Sequence, residues 1–328
     1  MKTRFPAACL FVLLFGVGGI AYGQSAASSF PSKPITIIVP FPPGSSLDAD
    51  ARVWGLKMQE SLGKPYIVDF KPGAGGSIGT NFVVKSPADG HTLLIASNGF
   101  STNAATRDNL PYDPLKDFTP ISLVNKRITV LMVHPDVPVK TFREYVALVK
   151  KSPGELNMGT NGAGGITHMM GAWLHSAAGI KVTFVHYKGT APMLQDLIAG
   201  RVQVTSGSVF TSSAFIKQGR LRPIALLGKE RSSLMPGMAT AAEQGVPDYD
   251  YAAWTGFLGP AGMPSAIVDK LYSAMAKYAK TPEMTSLLEK DGTLVSVSTP
   301  EEFKKFLLAE ITGMRRVAQE FNIKAAED

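Results

Sequence analysis

One stretch near the start of the chain, residues 35–62, constrains the fold more than any other. It opens with the apolar run I-T-I-I-V, whose β-branched content is typical of a buried strand. Apolar residues then recur at three- and four-residue steps from Leu47 to Leu62, which predicts an amphipathic helix. The F-P-P-G turn between them is rigid because proline fixes φ, and Gly44 permits a positive φ.

This turn delivers the chain into a helix start that is suited to binding an anion. Ser45 is a favourable N-cap residue, and Asp48 three positions later completes an S-x-x-D capping pattern. The first N–H groups of a helix have no partner within it and carry partial positive charge. Asp48 and Asp50 are also candidate catalytic carboxylates, but acids in a first helical turn stabilise the helix dipole, and we favour that structural role.

Strand and helix patterns alternate through residues 35–97 and again through residues 129–227, which predicts an α/β protein. A chain of 328 residues is long enough for two domains. The polar, turn-rich segment 97–120 is predicted as a loop. Two helical patterns near residues 265–280 and 300–321 have no strands of their own to cover, so we expect them to return to the first domain.

We therefore predict two lobes, each a mostly parallel sheet flanked by helices. Lobe 1 comprises residues 30–126 plus 228–328, and lobe 2 comprises residues 127–227. Two chain crossings, near residues 125–128 and 227–228, would form a hinge with a cleft between the lobes.

The N-terminus has the pattern of a secretory signal peptide. A short basic segment precedes an apolar run over residues 7–20, and the small-residue motif A-Y-G ends at Gly23. We predict cleavage before Gln24 and export of the mature protein. The single cysteine, Cys9, lies in the removed segment, which excludes disulfides and thiol chemistry from the mature chain.

Composition and motifs argue against several function classes. The formal net charge is +7, but the basic residues are scattered, so we predict no nucleic-acid partner. The five histidines form no H-x-x-x-H pair, and we predict no metal site. No complete G-x-G-x-x-G or P-loop motif occurs, so we predict no cofactor.

One motif keeps an enzymatic alternative open. G-G-S-I-G over residues 75–79 matches G-x-S-x-G, follows a strand and opens a helix, as a nucleophile elbow would. Ser77 would be the nucleophile of a secreted serine hydrolase. No downstream aspartate and histidine stand out as partners, and a close strand–helix turn is the favoured interpretation. A pure interaction module is a third possibility.

A second glycine-bearing turn, N-G-A-G-G over residues 161–165, also leads from a strand into a helix. Two such turns facing each other across a cleft could hold a carboxylate by backbone N–H groups, without a salt bridge. His168 lies in the first turn of the second helix, where contact with a ligand and support of the loop are both open. This arrangement favours a binding protein over an enzyme.

The same segments resemble the extracytoplasmic solute receptors of tripartite tricarboxylate transporters, the Bug-type receptors of proteobacteria. The matching blocks occur in order from about Pro34 to Phe321. They are P-F-P-P-G-S-S-L-D-A-D-A-R, K-P-G-A-G-G-S-I-G-T, S-P-A-D-G-H-T-L-L, P-Y-D-P-L-K-D-F-T-P-I, Y-K-G-T-A-P-M-L-Q-D-L-I-A-G-R-V and G-R-L-R-P-I-A-L.

The resemblance implies a two-lobed periplasmic binding protein (type II) fold that closes on a small carboxylate. It also implies a non-enzymatic role in the periplasm, with delivery of the ligand to the membrane permease of such a transporter. A monomer suits a cleft that closes. Family members hold the carboxylate largely through backbone amides and ordered waters of the two turns.

Carried onto this chain, the family's contacts fall on both lobes. Those of the first lobe are Phe41, Gly44, Ser45, Ser46, Asp48, Ser97 and Asn98. Those of the second lobe are Asn161, Gly164, Gly165, His168 and Ser206.

The chain departs from the family pattern at three places. Ser45 replaces the second glycine of a pair, Gly165 stands where a serine is usual, and the segment 205–208 lacks the usual acid. Without that acid an amino-acid ligand is disfavoured, because its ammonium group would want a carboxylate partner. Dicarboxylates, nicotinate-like acids and aromatic acids such as phthalates remain open.

Overall fold

The computed structural model describes residues 29–290 and 292–325, which form two α/β lobes. Its strands are β1 (Ile35–Val39), β2 (Tyr66–Phe70), β3 (Thr92–Ser97), β4 (Phe118–Arg127), β5 (Thr129–Val133), β6 (Asn157–Thr160), β7 (Thr183–His186), β8 (Val204–Ser208), β9 (Arg222–Leu227), β10 (Ala253–Pro260) and β11 (Thr293–Val295). Its helices are α1 (Ser46–Leu62), α2 (Ser77–Val84), α3 (Asn98–Thr106), α4 (Phe142–Lys151), α5 (Ile166–Ala177), α6 (Thr190–Ile198), α7 (Val209–Lys217), α8 (Ser265–Ala276), α9 (Pro282–Glu289) and α10 (Pro300–Glu320).

Each lobe is built on one sheet. The first has the strand order β11-β4-β10-β3-β1-β2, and the second has the order β7-β6-β8-β5-β9. In the first sheet β1 to β4 share one direction, and β10 and the short β11 run against them. In the second sheet β6 to β9 share one direction, and β5 runs against them. The predicted α/β fold with two lobes and mostly parallel sheets is confirmed.

The reversed strands β5 and β10 mark where the chain changes lobe. Strand β4 continues through Ile128 directly into β5, and the chain returns from β9 to β10 through residues 228–252. A strand that enters a lobe from the junction must run away from it, whereas the lobe's other long strands run toward it. The two crossings therefore explain why each sheet is mixed.

Packing near the second crossing ties the two lobes together. The returning segment adds Ala241, Val246 and Tyr249 to the core around the second sheet. Helix α10 contributes to both cores, with Phe303, Leu307 and Ile311 on the first and Met314, Val317 and Ala318 on the second. The lobe limits given above, with residues 228–328 wholly in lobe 1, stay a prediction, and this packing shows that the C-terminal part contacts both lobes.

One local expectation was wrong. The segment 97–120 was predicted as a loop, but it begins with helix α3. The sequence N-G-F-S-T-N-A-A-T has low helix propensity. Burial of Phe100 and Ala104 and a hydrogen bond from Ser101 to Glu310 stabilise the helix instead.

The predicted signal peptide, residues 1–23, lies outside the described residues. Across 29–290 and 292–325, none of the helices combines the length and the apolar character needed to span a bilayer.

Candidate functional site

Strand register brings the ends of two strands together where the lobes meet. In the first sheet Ser97 at the end of β3 lies opposite Thr255, which lies opposite Asn125. In the second sheet Ser208 at the end of β8 lies opposite Thr129. Since Asn125 and Thr129 are neighbours along the crossing strand, the starts of α3 and α7 converge at the junction of the lobes.

The first-lobe turn, residues 40–46, is braced by the side chain of Asp48. Its carboxylate accepts hydrogen bonds from the Gly44 N–H at 2.9 Å and from Arg52 Nε at 2.7 Å, and Ser45 Oγ accepts from the Asp48 N–H at 3.3 Å. Gly44 has the positive φ of 81° that the turn requires. Asp48 and Gly44 thus shape the turn, while the N–H of the exposed Ser46 at the first helical position is left for a ligand.

The Phe41 ring packs against two glycines, Gly76 and Gly99. A Cβ atom added at Gly76 or at Gly99 would lie 3.5 Å or 3.4 Å from the Phe41 ring. The ring therefore packs where the 73–76 loop and the first turn of α3 meet, at the carboxyl end of the first sheet.

The loop of residues 73–76 borders this region. From the sequence it was predicted only as a turn. Its four residues have φ values of 123°, 48°, 61° and 97°, and the Gly75 carbonyl accepts a hydrogen bond from Asn103 Nδ2 at 2.8 Å. The glycine-rich sequence K-P-G-A-G-G is the feature from which this loop could have been predicted. Such backbone angles are open to glycine and strained for other residues, so the three glycines permit this shape and Ala74 adopts it at a cost in free energy.

The Ser77 hydroxyl at the end of this loop donates to the Ala74 carbonyl at 2.6 Å, and Ser77 has ordinary helical angles of φ −64° and ψ −30°. Among the hydrogen bonds of the described residues, none joins Ser77 to a histidine. The Ser77 hydroxyl is thus held by the backbone of its own loop.

Asp50, the second acid of α1, anchors the helix to the crossing. Its buried carboxylate accepts from both terminal nitrogens of Arg127 at 2.9 and 2.7 Å, from Asn125 Nδ2 at 2.8 Å and from Thr255 Oγ1 at 2.7 Å. The carboxylates of Asp48 and Asp50 are both engaged in ion pairs with arginine side chains. Asp50 thereby holds the start of α1 against the strands at the lobe crossing.

The Asn98 side chain is held by the protein's own groups near the start of β10 and on α10. Its Nδ2 donates to Glu310 Oε1 at 3.0 Å and to the Ala252 carbonyl at 3.2 Å, and its Oδ1 accepts from the Trp254 N–H at 2.9 Å. Only the backbone of Asn98 is therefore available for a ligand. Burial raises the pKa of Glu310 to about 7, although hydrogen bonds from Ser101, Trp254 and Asn98 act to lower it.

The second-lobe turn is braced by neutral groups. Thr167 Oγ1 accepts from the Asn161 N–H at 2.8 Å and donates to Asn161 Oδ1 at 2.6 Å. The Gly164 N–H donates to His168 Nδ1 at 3.1 Å, and the Gly165 N–H donates to the Gly162 carbonyl at 3.2 Å. His168 therefore supports the loop, one of the two roles left open from the sequence.

His168 also packs against a second histidine that the sequence analysis did not place in the site. The ring centroid of His186 lies 4.5 Å away, and His186 Nδ1 is 2.7 Å from Thr160 Oγ1. Burial, and then His186, lower the pKa of His168 to about 4, so the ring is neutral near pH 7. Because Nδ1 accepts from Gly164, the neutral ring carries its proton on Nε2.

Ser206 differs from the other predicted contacts. It is only 1% exposed, and its Oγ has no hydrogen-bond partner among the described residues. A buried hydroxyl without a partner costs free energy, so this position has unused hydrogen-bonding capacity close to the end of β8.

Three helix starts at the junction have no side-chain cap. They belong to α3 after Ser97, α5 after Gly165 and α7 after Ser208. Elsewhere in the fold α4 and α10 are capped by Thr141 and Thr299, whereas α8 after Pro264 has no side-chain cap. Uncapped N–H groups at converging helix starts form an electropositive site without charged side chains. No cluster of potential metal ligands occurs among residues 29–290 and 292–325.

Comparison with known proteins gives one consistent result. The sequence profile of the tripartite tricarboxylate transporter family receptor matches residues 51–323. Protein BugT of Bordetella pertussis is 31% identical over 314 residues, which cover 95% of this chain and 96% of BugT.

Solved structures agree in fold. A protein of R. palustris with adipate is 30% identical, with a TM-score of 0.73 over 90% of this chain and 100% of that one. MatC from Rhodopseudomonas palustris with bound malate is 28% identical, with a TM-score of 0.69 over 88% of this chain and 99% of that one.

Proposed function

Since the chain belongs to the tripartite tricarboxylate transporter receptor family, we propose that it captures a small organic carboxylate between its two lobes. In this proposal it acts as a periplasmic Bug-type receptor and delivers the ligand to the permease subunits of such a transporter. The structural relatives that carry adipate and malate support the carboxylate class.

The observation that carries the proposal is the convergence of uncapped helix starts at the lobe junction. Helices α3, α5 and α7 leave N–H groups without side-chain acceptors where the strands of both sheets end. A carboxylate offers four lone-pair sites to such donors. The first lobe adds the N–H groups of Ser45 and Ser46, and the second adds those around Gly165.

Selectivity follows from what surrounds these donors. The Phe41 ring and the glycine surface beside it suit an apolar or aromatic body. The second lobe offers neutral groups, namely the side chains of Asn161, His168 and Ser206. Thr205 and Ser206 stand where a carboxylate would be needed to pair with an ammonium group. We therefore favour a dicarboxylate or an aromatic acid over an amino acid.

Ligand capture would work by a shift between open and closed lobes. A carboxylate that touches both sets of N–H groups can do so only when the cleft is closed, so it stabilises the closed state. The crossing at Ile128 and the segment before β10 are the connections that such a motion would bend.

The test is a thermal-melt screen of the mature protein, lacking residues 1–23, against mono-, di- and aromatic carboxylates. A ligand at 100 times its dissociation constant should stabilise the fold by about 2.7 kcal/mol. The Ser45→Trp variant should lose the response by filling the first-lobe turn. Ser286→Trp, at an exposed serine of α9 outside the site, is the matched control and should keep it.

Two outcomes would contradict the proposal. One is a flat panel from protein whose fold is verified by circular dichroism. The other is a carboxylate response that survives Ser45→Trp unchanged, which would place the ligand elsewhere.

A further inference from the structure

A cavity of about 260 Å³ lies where α5, the segment before β10 and α10 meet. It is built from both lobes, and none of the predicted carboxylate contacts lines it. Four aromatic residues and one buried acid define its character: Trp173, Tyr251, Trp254, Phe306 and Glu310.

The aromatic rings are arranged edge to face rather than as a flat stack. Trp254 and Phe306 have centroids 5.7 Å apart at 87°, and Trp173 and Tyr251 have centroids 6.4 Å apart at 89°. The cavity is thus lined by aromatic rings from α5, the segment before β10, β10 and α10. Aromatic faces carry negative potential and attract cations.

Glu310 lines the same cavity without a cationic partner. Its carboxylate accepts from Asn98 Nδ2 at 3.0 Å, Ser101 Oγ at 2.7 Å and Trp254 Nε1 at 2.6 Å, all of which are neutral donors. Among the ion pairs of the described residues, none includes Glu310. A buried carboxylate supported only by neutral groups remains costly when ionised.

The charges at the rim reinforce this negative field. Asp248 and Asp250 line the cavity as well, and Asp250 is 4.0 Å from the Lys229 ammonium. Lys126, the one basic lining residue, places its Nζ 2.9 Å from Glu230, which lies outside the lining. The cavity therefore favours a positive guest over a negative one.

Tyr251 adds an unused hydrogen-bonding group to the cavity lining. The residue is 2% exposed, and its hydroxyl has no hydrogen-bond partner among the described residues. Burial, and then the carboxylate of Glu310 and Tyr249, raise the pKa of Tyr251 well above its ordinary value, so the phenol stays neutral. The hydroxyl group of choline could partner it, whereas tetramethylammonium has no group that could.

We propose that this cavity binds a small organic ammonium ion, of the size of tetramethylammonium or choline, between the aromatic rings and beside Glu310. The chemistry is that of an aromatic cage closed by a carboxylate. Trp173 comes from the second lobe, whereas Trp254 and Phe306 come from the first. The guest would therefore touch both lobes, at a place separate from the carboxylate site.

The experiment uses the protein's own fluorescence, because two of its three tryptophans line the cavity. The mature protein is titrated with tetramethylammonium chloride and with choline chloride, against sodium chloride at equal ionic strength. The decisive comparison is 3,3-dimethyl-1-butanol, which has the shape of choline without the charge. We expect a saturable change with both cations, and at least ten-fold weaker binding of the neutral alcohol.

Variants locate the site. Glu310→Gln and Phe306→Ala should each weaken cation binding at least five-fold. Leu308→Ala, at a 52% exposed position of the same helix, should leave it unchanged. If Phe306→Ala does not fold, Phe306→Leu replaces it, because leucine keeps much of the volume but has no aromatic face.

The proposal is overturned if the cations give only the sodium response, or if the neutral alcohol binds as tightly as choline. It is also overturned if Ser45→Trp removes the cation response, since that would place the cation in the carboxylate cleft. Survival of the cation response in Ser45→Trp, together with loss of any carboxylate response, would show two sites. Failure of the carboxylate proposal would leave this result standing.

Discussion

The two turns that border the lobe junction are built from the same succession of strand, loop and helix, but they are held in opposite ways. The first turn depends on charge: Asp48 is paired with Arg52, and Asp50 is paired with Arg127. The second turn depends on hydrogen bonds with the uncharged side chains of Thr167 and His168. Both leave backbone N–H groups at a helix start.

The two turns are also attached to different parts of the molecule. Asp50 joins the first turn to the crossing strands at Asn125, Arg127 and Thr255, so the start of α1 is tied to the strands of the lobe crossing. Gly164 of the second turn instead lies against the C-terminal segment. A Cβ atom added there would be 2.7 Å from the Lys324 carbonyl oxygen. One turn is anchored within its sheet, and the other rests on the chain's last described residues.

The largest expected loss of stability comes from removing the carboxylate of Asp50. Asp50→Ala would remove the buried carboxylate that accepts from Arg127, Asn125 and Thr255, and the free energy of unfolding should fall by about 3–5 kcal/mol. Asp48→Ala removes a pair whose arginine is 56% exposed, and should cost only about 1 kcal/mol. Urea denaturation of both variants measures the difference. Equal losses would mean that Asp50 is not the anchor.

The next prediction concerns how the stability of the protein depends on pH. His168 and His175 of the second lobe have pKa values lowered to about 4, chiefly by burial, from an ordinary 6.5. The unfolded chain therefore binds protons first as the pH falls from about 6.5 to 4, and these histidines reduce the free energy of unfolding by about 1–3 kcal/mol in that window.

Glu310 acts with the opposite sign. Its pKa is raised to about 7 from 4.5, so between these values the folded state binds more protons and gains stability as the pH falls. In denaturation curves from pH 8 to 4, His175→Gln should flatten the acid loss and Glu310→Gln should steepen it. The same slope in both variants would contradict the assignment.

Replacing one glycine of each turn, Gly44 or Gly164, by alanine should cause smaller losses of stability that also differ between the turns. Gly44 has a φ of 81° with no atom within 4 Å of an added Cβ, so Gly44→Ala should cost about 1 kcal/mol of backbone strain. Gly164 has a φ of 66° and would also meet backbone, so Gly164→Ala should cost about 2–3 kcal/mol. Melting temperatures measure both. A milder effect at Gly164 would show that the C-terminal segment moves aside easily.

The smallest effect concerns the cap of α1. Ser45→Ala removes the acceptor for the Asp48 N–H and should cost about 1 kcal/mol. Ser46→Ala, at the neighbouring exposed position, should change stability by less than about 0.5 kcal/mol. A carboxylate ligand should still bind both variants, since the backbone N–H groups remain. Loss of binding in Ser45→Ala alone would give the hydroxyl a direct role.

The sequence by itself determined the features that depend on neighbours along the chain. The strand β1, the F-P-P-G turn and the Ser45 cap follow from residue types a few positions apart, and all three are observed. The alternation of strands and helices likewise predicted two α/β lobes. The residues at the carboxyl ends of β1, β3, β6 and β8 were therefore accessible to sequence reasoning, although their roles as ligand contacts stay a prediction.

The tertiary structure alone decided what joins distant parts. Helix α3 forms from a segment of low helix propensity because Ser101 and Asn98 meet Glu310, more than 200 residues away. The pairing of Asp50 with Arg127 and the pairing of His168 with His186 likewise depend on how the sheets place their strands. Local periodicity carries no information about such contacts, because their free energy appears only once both cores have formed.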